Sequence, residues 1–204
     1  MEGIKWLFFD MGSTLVDERI PYEYRLRKIA ALSGVSYENV YEGAMELYRQ
    51  NRKGDLEIAK QYGVPVPAWN PEGEILYTDA AKCLDILNGR YRLGIIANQR
   101  PGTEERLKKY GVLKYLDLVV ASAEEGVSKP DQRIFDMALQ RSHCKPQQAV
   151  MVGDRIDNDI VPARLLGMHT IWIKQGFGRY WRIEREIERP DYAVNHLMEI
   201  CDIL

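Results

Sequence analysis

The chain has 204 residues, 46% of them hydrophobic, enough for one sizeable core with a small appended unit. Its 28 basic and 30 acidic residues leave a formal charge of −2 without long like-charge runs, so it carries no field to draw in nucleic acid or an anionic membrane surface. Cys83, Cys144 and Cys201 are odd in number, far apart and without zinc-ligand spacing, which fits a reducing cytoplasm, and the run Trp6–Phe9 is too short for a signal peptide core or a membrane span.

The first predicted strand is Ile4–Phe9, an apolar run that stops at Asp10. The stretch between Asp10 and the next strand is too long for a plain crossover and carries helical patterns instead. One helix is predicted over Tyr22–Leu32, with Tyr22, Leu26, Ile29 and Ala30 on one face; Ser36 reads as the N-cap of a second helix through Tyr48, and a third spans Leu56–Tyr62. Pro65-Val66-Pro67 and Asn70-Pro71 break the pattern, after which Glu74–Leu87 is expected as a crossover helix ending at Asn88-Gly89. Further strands are predicted at Leu93–Ala97, Leu116–Ala121, Ala149–Val152, Thr170–Ile173 and Tyr192–Val194, followed by a closing helix over His196–Leu204. Short apolar strands alternating with helices predict an α/β fold with a parallel, Rossmann-like sheet. Residues 18–73 read as a small helical cap inserted after the first strand, with 1–17 and 74–204 as the α/β core domain. The run Phe177-Gly178-Arg179-Tyr180-Trp181-Arg182 is expected to pack beside the crevice or under the cap, and the scattered His143, His169 and His196 receive no role.

Open parallel sheets place their chemistry at the carboxyl ends of the strands, and four such ends carry candidates. Asp10-Met11-Gly12-Ser13-Thr14 sets a carboxylate at the mouth of the sheet, with small residues behind it that let backbone amides turn toward an anion; Ser13 and Thr14 are candidate substrate contacts. Gly153-Asp154 with Asp157 and Asp159 adds acids beside it, a hard-oxygen set suited to Mg²⁺. Lys129-Pro130, ahead of the helical pattern of Ile134, Phe135, Ala138 and Leu139, offers an ammonium to a phosphate. Asn98, at the end of Ile95-Ile96-Ala97, could point an amide donor into the crevice.

Taken together and in this order, these residues resemble the four motifs of the haloacid dehalogenase (HAD) superfamily over essentially the whole chain. Asp10 and Thr14 match the first motif, DxDx[TV]; Ala97-Asn98 lies at the second, Lys129-Pro130 at the third, and Gly153-Asp154 with Asp159 at the fourth. The resemblance implies a type-one helical cap and a Mg²⁺-dependent phosphatase acting on a small phosphorylated metabolite. It makes Asp10 the nucleophile that forms an aspartyl phosphate. Lys129 would stabilise charge, and Asp10, Gly12 (through its carbonyl), Asp154 and Asp159 would form the metal site.

Two positions depart from that pattern. The family's second Asp, which moves protons, is Gly12 here, and the hydroxyl of the second motif is Ala97. A missing acid/base typically costs ~10²–10⁴-fold in rate; Asp17 and the acids of 18–73 are the substitutes on offer. The departures keep other readings open: a weak or inactive HAD-fold protein binding a phosphorylated ligand or protein partner, or a C–P or C–halogen hydrolase. The C–P chemistry would need a Schiff-base lysine from Lys28, Lys53 or Lys60, each of which reads more simply as a solvated helix residue.

Overall fold

The computed structural model describes residues 3–204; residues 1 and 2, assigned above to the core, lie outside the described residues. The sheet strands are β1 (Trp6–Phe9), β4 (Arg92–Ala97), β5 (Leu118–Ala121), β6 (Ala149–Gly153), β7 (His169–Ile173) and β8 (Tyr192–Val194). They pair in parallel in the order β5-β4-β1-β6-β7-β8. Alternation along β1 divides the core. Leu7 and Phe9 face one layer, with Cys83, Leu84 and Leu87 of α4 (Ala80–Asn88) and Ile200 of α9 (Met198–Ile203). Phe8 faces the other, with Ile134, Phe135, Ala138 and Leu139 of α7 (Gln132–Arg141).

The chain winds outward from β1 through β4 to β5, then returns and winds the other way through β6, β7 and β8. That reversal opens a crevice at the carboxyl end of β1, between β4 and β6. Among the described residues, no helix is long and apolar enough to cross a membrane.

Between β1 and β4 lies a helical insert of α1 (Arg19–Ser33), α2 (Tyr37–Arg49) and α3 (Gly54–Gln61). Ser36 caps α2 as expected, accepting from Asn39 N at 3.2 Å. The insert buries its own cluster, including Leu26, Ile29, Val40, Met45 and Ile58, and Phe177 and Tyr180 from the loop after β7 join it. Phe177 stacks on Tyr48 with centroids 4.7 Å apart and meets Tyr22 edge-on at 4.7 Å, so the aromatic run does lie under the insert.

Some elements differ from expectation. Helix α1 starts three residues earlier than Tyr22 and runs through Pro21, because a first-turn amide has no intrahelical acceptor to lose. The crossover helix starts at Ala80 and not at Glu74, since β2 (Val16–Asp17) and β3 (Ile75–Leu76) pair as an antiparallel ribbon and Tyr77 N donates to Leu15 O at 2.9 Å. Strand β5 begins two residues after Leu116, behind a 3₁₀ turn at Leu113–Tyr115. Helices α5 (Thr103–Lys109), α6 (Ser122–Glu125) and α8 (Val161–Leu165) are too short to carry a clear period. Cys83 and Cys201, distant in sequence, bring their thiols to 3.8 Å and stay free.

Candidate active site

Asp10 follows directly on β1, its amide held by Val152 O at 2.8 Å, and Asp154 follows directly on β6. Asp159 sits in a π-helical turn, Ile156–Ile160, that folds its carboxylate back over Gly153. A Cβ at Gly153 would lie 2.3 Å from Asp159 Oδ2, so only glycine lets the two segments close. Carboxylate oxygens of Asp10, Asp154 and Asp159 then lie within 4.8 Å of one another, all three buried.

Lys129 enters this cluster from the loop between α6 and α7. Its Nζ donates to Asp10 Oδ1 and Asp159 Oδ1, each at 2.6 Å, with the side chain 2% exposed. Burial alone would lower the ammonium's pKa, but Asp10 and Asp159 outweigh it and raise it above the usual lysine value. Burial, then the charges of Asp159 and Asp10, push the Asp154 carboxyl well above its ordinary range. Burial lifts Asp159 to about 6 against the opposing pull of Lys129. One ammonium among three buried carboxylates leaves excess negative charge, and a second cation of hard-oxygen preference fits that donor set.

Asn98 lines the crevice, but its amide does not aim into it. Asn98 Nδ2 donates to Lys129 O at 2.8 Å and Asn98 Oδ1 accepts from Lys129 N at 2.7 Å, so the side chain is spent on holding the lysine loop. Thr14 does not reach the cavity at all: it is fully buried, and its hydroxyl has no partner. Four of the turn amides, from Ser13 to Val16, close the turn on itself and are not turned toward an anion: those of Thr14, Leu15 and Val16 donate to Met11 O, and that of Ser13 to Val16 O. Those of Met11 and Gly12, in contrast, have no hydrogen-bond acceptor among the described residues. Ser13 does line the cavity, with a left-handed backbone (φ 56°) and its Oγ donating to Glu18 Oε2 at 3.0 Å. Asp157 is paired with Arg155 at 2.8–2.9 Å and stays out of the carboxylate cluster.

The cavity over these residues measures about 320 Å³. Its lining adds residues that sequence patterns did not place at the site: Glu18, one of the insert's acids offered above, with Tyr22 and Arg25 from the start of the insert, Trp69 from its exit, Arg100 after β4, and Arg155. Arg25 donates to Asp55 Oδ2 at 2.5 Å and stacks over Trp69 at 4.8 Å, while its Nε has no partner. Burial first, then the charge of Asp10, lifts the Glu18 carboxyl to about 8. A polar residue in an otherwise apolar helix face was the available signal for Arg25, but Glu18 at a helix start looks like any first-turn acid. Lys28, Lys53 and Lys60 are exposed and outside the lining, so none of the three places an amine at this cavity for a Schiff base.

Residues 126–200 match the model of the HAD-hydrolase-like family. Along its full length the chain is 30% identical to the glyceraldehyde 3-phosphate phosphatase of Pyrococcus furiosus, over 94% of that protein. It is 33% identical to the glyceraldehyde 3-phosphate phosphatase of Pyrococcus abyssi over 85% of this chain and 82% of that one. Magnesium-bound YfnB of Bacillus subtilis superposes over the whole chain and 99% of its own, with a TM-score of 0.69 at 17% identity, a likeness of fold.

Proposed function

We propose that this chain, which belongs to the HAD superfamily of hydrolases and is a phosphatase of that family, cleaves a small phosphomonoester through an aspartyl phosphate on Asp10. The observation that carries this reading is the Lys129 ammonium bridging Asp10 and Asp159 beside Asp154 at the sheet's switch point. A carboxylate oxygen at the mouth of β1 is a nucleophile, and the fixed ammonium neutralises charge as it spreads onto the equatorial phosphoryl oxygens. Attack forms the Asp10–phosphorus bond as the bond to the leaving oxygen breaks; water then restores the carboxylate and releases phosphate.

Asp10, Asp154 and the carbonyl of Gly12 are the groups that would hold Mg²⁺, with Asp159 tied to it or to Lys129. Bound there, Mg²⁺ would supply Lewis-acid neutralisation of phosphoryl oxygens. Residues 18–73 act in this reading as a cap whose Tyr22, Arg25 and Trp69 meet the leaving group and exclude water. A cavity of about 320 Å³ suits a metabolite of a few carbons, and the two Pyrococcus relatives make glyceraldehyde 3-phosphate the first substrate to try.

The test is phosphate release from glyceraldehyde 3-phosphate, phosphoserine and p-nitrophenyl phosphate, with Mg²⁺ or with EDTA, for the wild type and Asp10→Asn. Turnover that needs Mg²⁺ and vanishes in Asp10→Asn is the expected result. Turnover that survives the substitution would overturn the reading.

A further inference from the structure

An alkoxide leaves phosphorus slowly unless a proton meets it, and the nucleophile's neighbour two residues on, Gly12, has no proton to give. The cavity must supply the acid from elsewhere. Asp10 is taken as nucleophile, Asp154 and Asp159 belong to the cation-binding carboxylate cluster, and Lys129 is shared between two carboxylates. The arginines of the lining keep their protons at all working pH values. Glu18 and Tyr22 remain.

Glu18 occupies a telling place. A Cβ built on Gly12 would meet Glu18 Oε1 at 2.5 Å and its Cδ and Oε2 at 2.7 Å, so the Glu18 carboxylate lies where a side chain at position 12 would project. Glu18 is the residue at the start of α1, yet it makes no cap to that helix; Asp17 Oδ1 accepts from Arg19 N at 2.8 Å instead. Freed from capping, Glu18 turns back into the crevice, where Ser13 Oγ anchors Oε2 at 3.0 Å. Among the described residues, no hydrogen bond engages Oε1, and Glu18 lines the cavity together with Asp10.

We propose that Glu18 is the catalytic acid and base of this site, its carboxyl filling the space that glycine at position 12 vacates; this rests on the aspartyl-phosphate reading above. As Asp10 bonds to phosphorus and the phosphorus–oxygen bond to the alcohol breaks, the carboxylic acid of Glu18 passes its proton to the leaving oxygen. The carboxylate so formed takes a proton from water as that water's oxygen bonds to phosphorus. The bond to Asp10 breaks, phosphate departs and Glu18 is again an acid, so protons balance over the cycle. Ser13 is a positioning residue in this scheme.

The test compares the first-turnover and steady-state rates of an alkyl phosphate, glyceraldehyde 3-phosphate, with those of p-nitrophenyl phosphate, whose leaving group needs no proton. Glu18→Gln keeps the shape and the Ser13 contact. It should lower alkyl phosphate cleavage by ~10²–10⁴-fold, while p-nitrophenol still appears in a rapid burst followed by slow turnover, because hydrolysis of the phosphoenzyme has lost its base. Tyr22→Phe, at a residue that meets the leaving group, should raise KM but keep the wild-type ratio of alkyl to p-nitrophenyl phosphate first-turnover rates; a fall in that ratio of the size expected for Glu18→Gln would move the acid role to Tyr22 and overturn the assignment. The double variant Gly12→Asp with Glu18→Ala has room for the new side chain and should regain alkyl phosphate turnover that Glu18→Ala lacks. Gly12→Asp alone, in which the two carboxylates collide, should not improve on the wild type. Glu18→Gln that cleaves alkyl phosphates at the wild-type rate, or that slows both first turnovers equally, overturns the assignment. Asp10→Asn runs in parallel: if it stays active the phosphatase reading itself falls, whereas a dead Asp10→Asn beside a fully active Glu18→Gln removes Glu18 alone.

Discussion

Lys129 carries two loads at once. It is 5% exposed and shares its ammonium between Asp10 and Asp159, so removing it leaves carboxylates facing one another in a buried space. Lys129→Met should therefore destabilise the metal-free protein by about 3–5 kcal/mol in urea unfolding, the usual cost of orphaning one side of a buried ion pair. It should lower kcat by about 10²–10³-fold, as loss of one charge-stabilising donor does. Lys129→Arg should not restore either, because a planar fork cannot occupy a site shaped around a single Nζ with two oxygens at 2.6 Å. The complementary test is on the carboxylates: Mg²⁺ should raise the melting temperature of the wild type, by binding the folded state only, and should leave Asp154→Asn unmoved. The acids and lysine of this site were legible because each follows an apolar strand or precedes a helix, a position the chain sequence states directly. Glu18 was not, because its meaning comes from a side chain folding back over a glycine six residues earlier, and linear spacing does not record that.

The helical insert is held by a polar node as well as by its apolar cluster. Asp55, 5% exposed, accepts from Tyr48 Oη at 2.7 Å and from Arg25 at 2.5 Å, so one carboxylate ties all three helices together. Tyr48→Phe strips a donor from a buried acid and should cost about 1–3 kcal/mol at neutral pH. Burial and the adjacent Asp55 raise the Tyr48 phenol well above its ordinary value. A raised folded pKa means that stability is full below the unfolded value of about 10 and drains away as pH climbs beyond it. The urea midpoints of wild type and Tyr48→Phe should thus draw together above about pH 10, since only the wild type has that phenol to ionise. A gap that stays constant to pH 11 or widens would contradict this account. Helix α2 was readable from Ser36 as its N-cap, and in the structure Val40, Ala44 and Tyr48 are among its buried residues. The β2–β3 ribbon was not: two-residue strands hold no period, and their pairing is a long-range event between positions 16–17 and 75–76.

At the scale of the whole molecule, the insert reaches the core through a narrow set of contacts. Asn51 and Arg182 exchange two hydrogen bonds, Nδ2 to Arg182 O and Arg182 N to Oδ1, both at 2.8 Å. Beside them Phe177, from the loop after β7, is inserted between Tyr22 and Tyr48. Tyr22 in turn lines the cavity, so the ring that clasps the insert also sets the position of a wall. Phe177→Ala removes two aromatic contacts worth about 1 kcal/mol each and leaves the insert free to tilt away from the crevice. The fold of the sheet does not depend on that ring, so the loss should show as a small drop in stability and a larger change in selection. KM for a small phosphomonoester should rise because Tyr22 is no longer held, and the ratio of phosphopeptide to glyceraldehyde 3-phosphate turnover should rise with it. If the variant loses stability yet keeps its discrimination against the larger substrate, the size limit is set by the core loops around Asn98–Arg100 and not by the clasped insert.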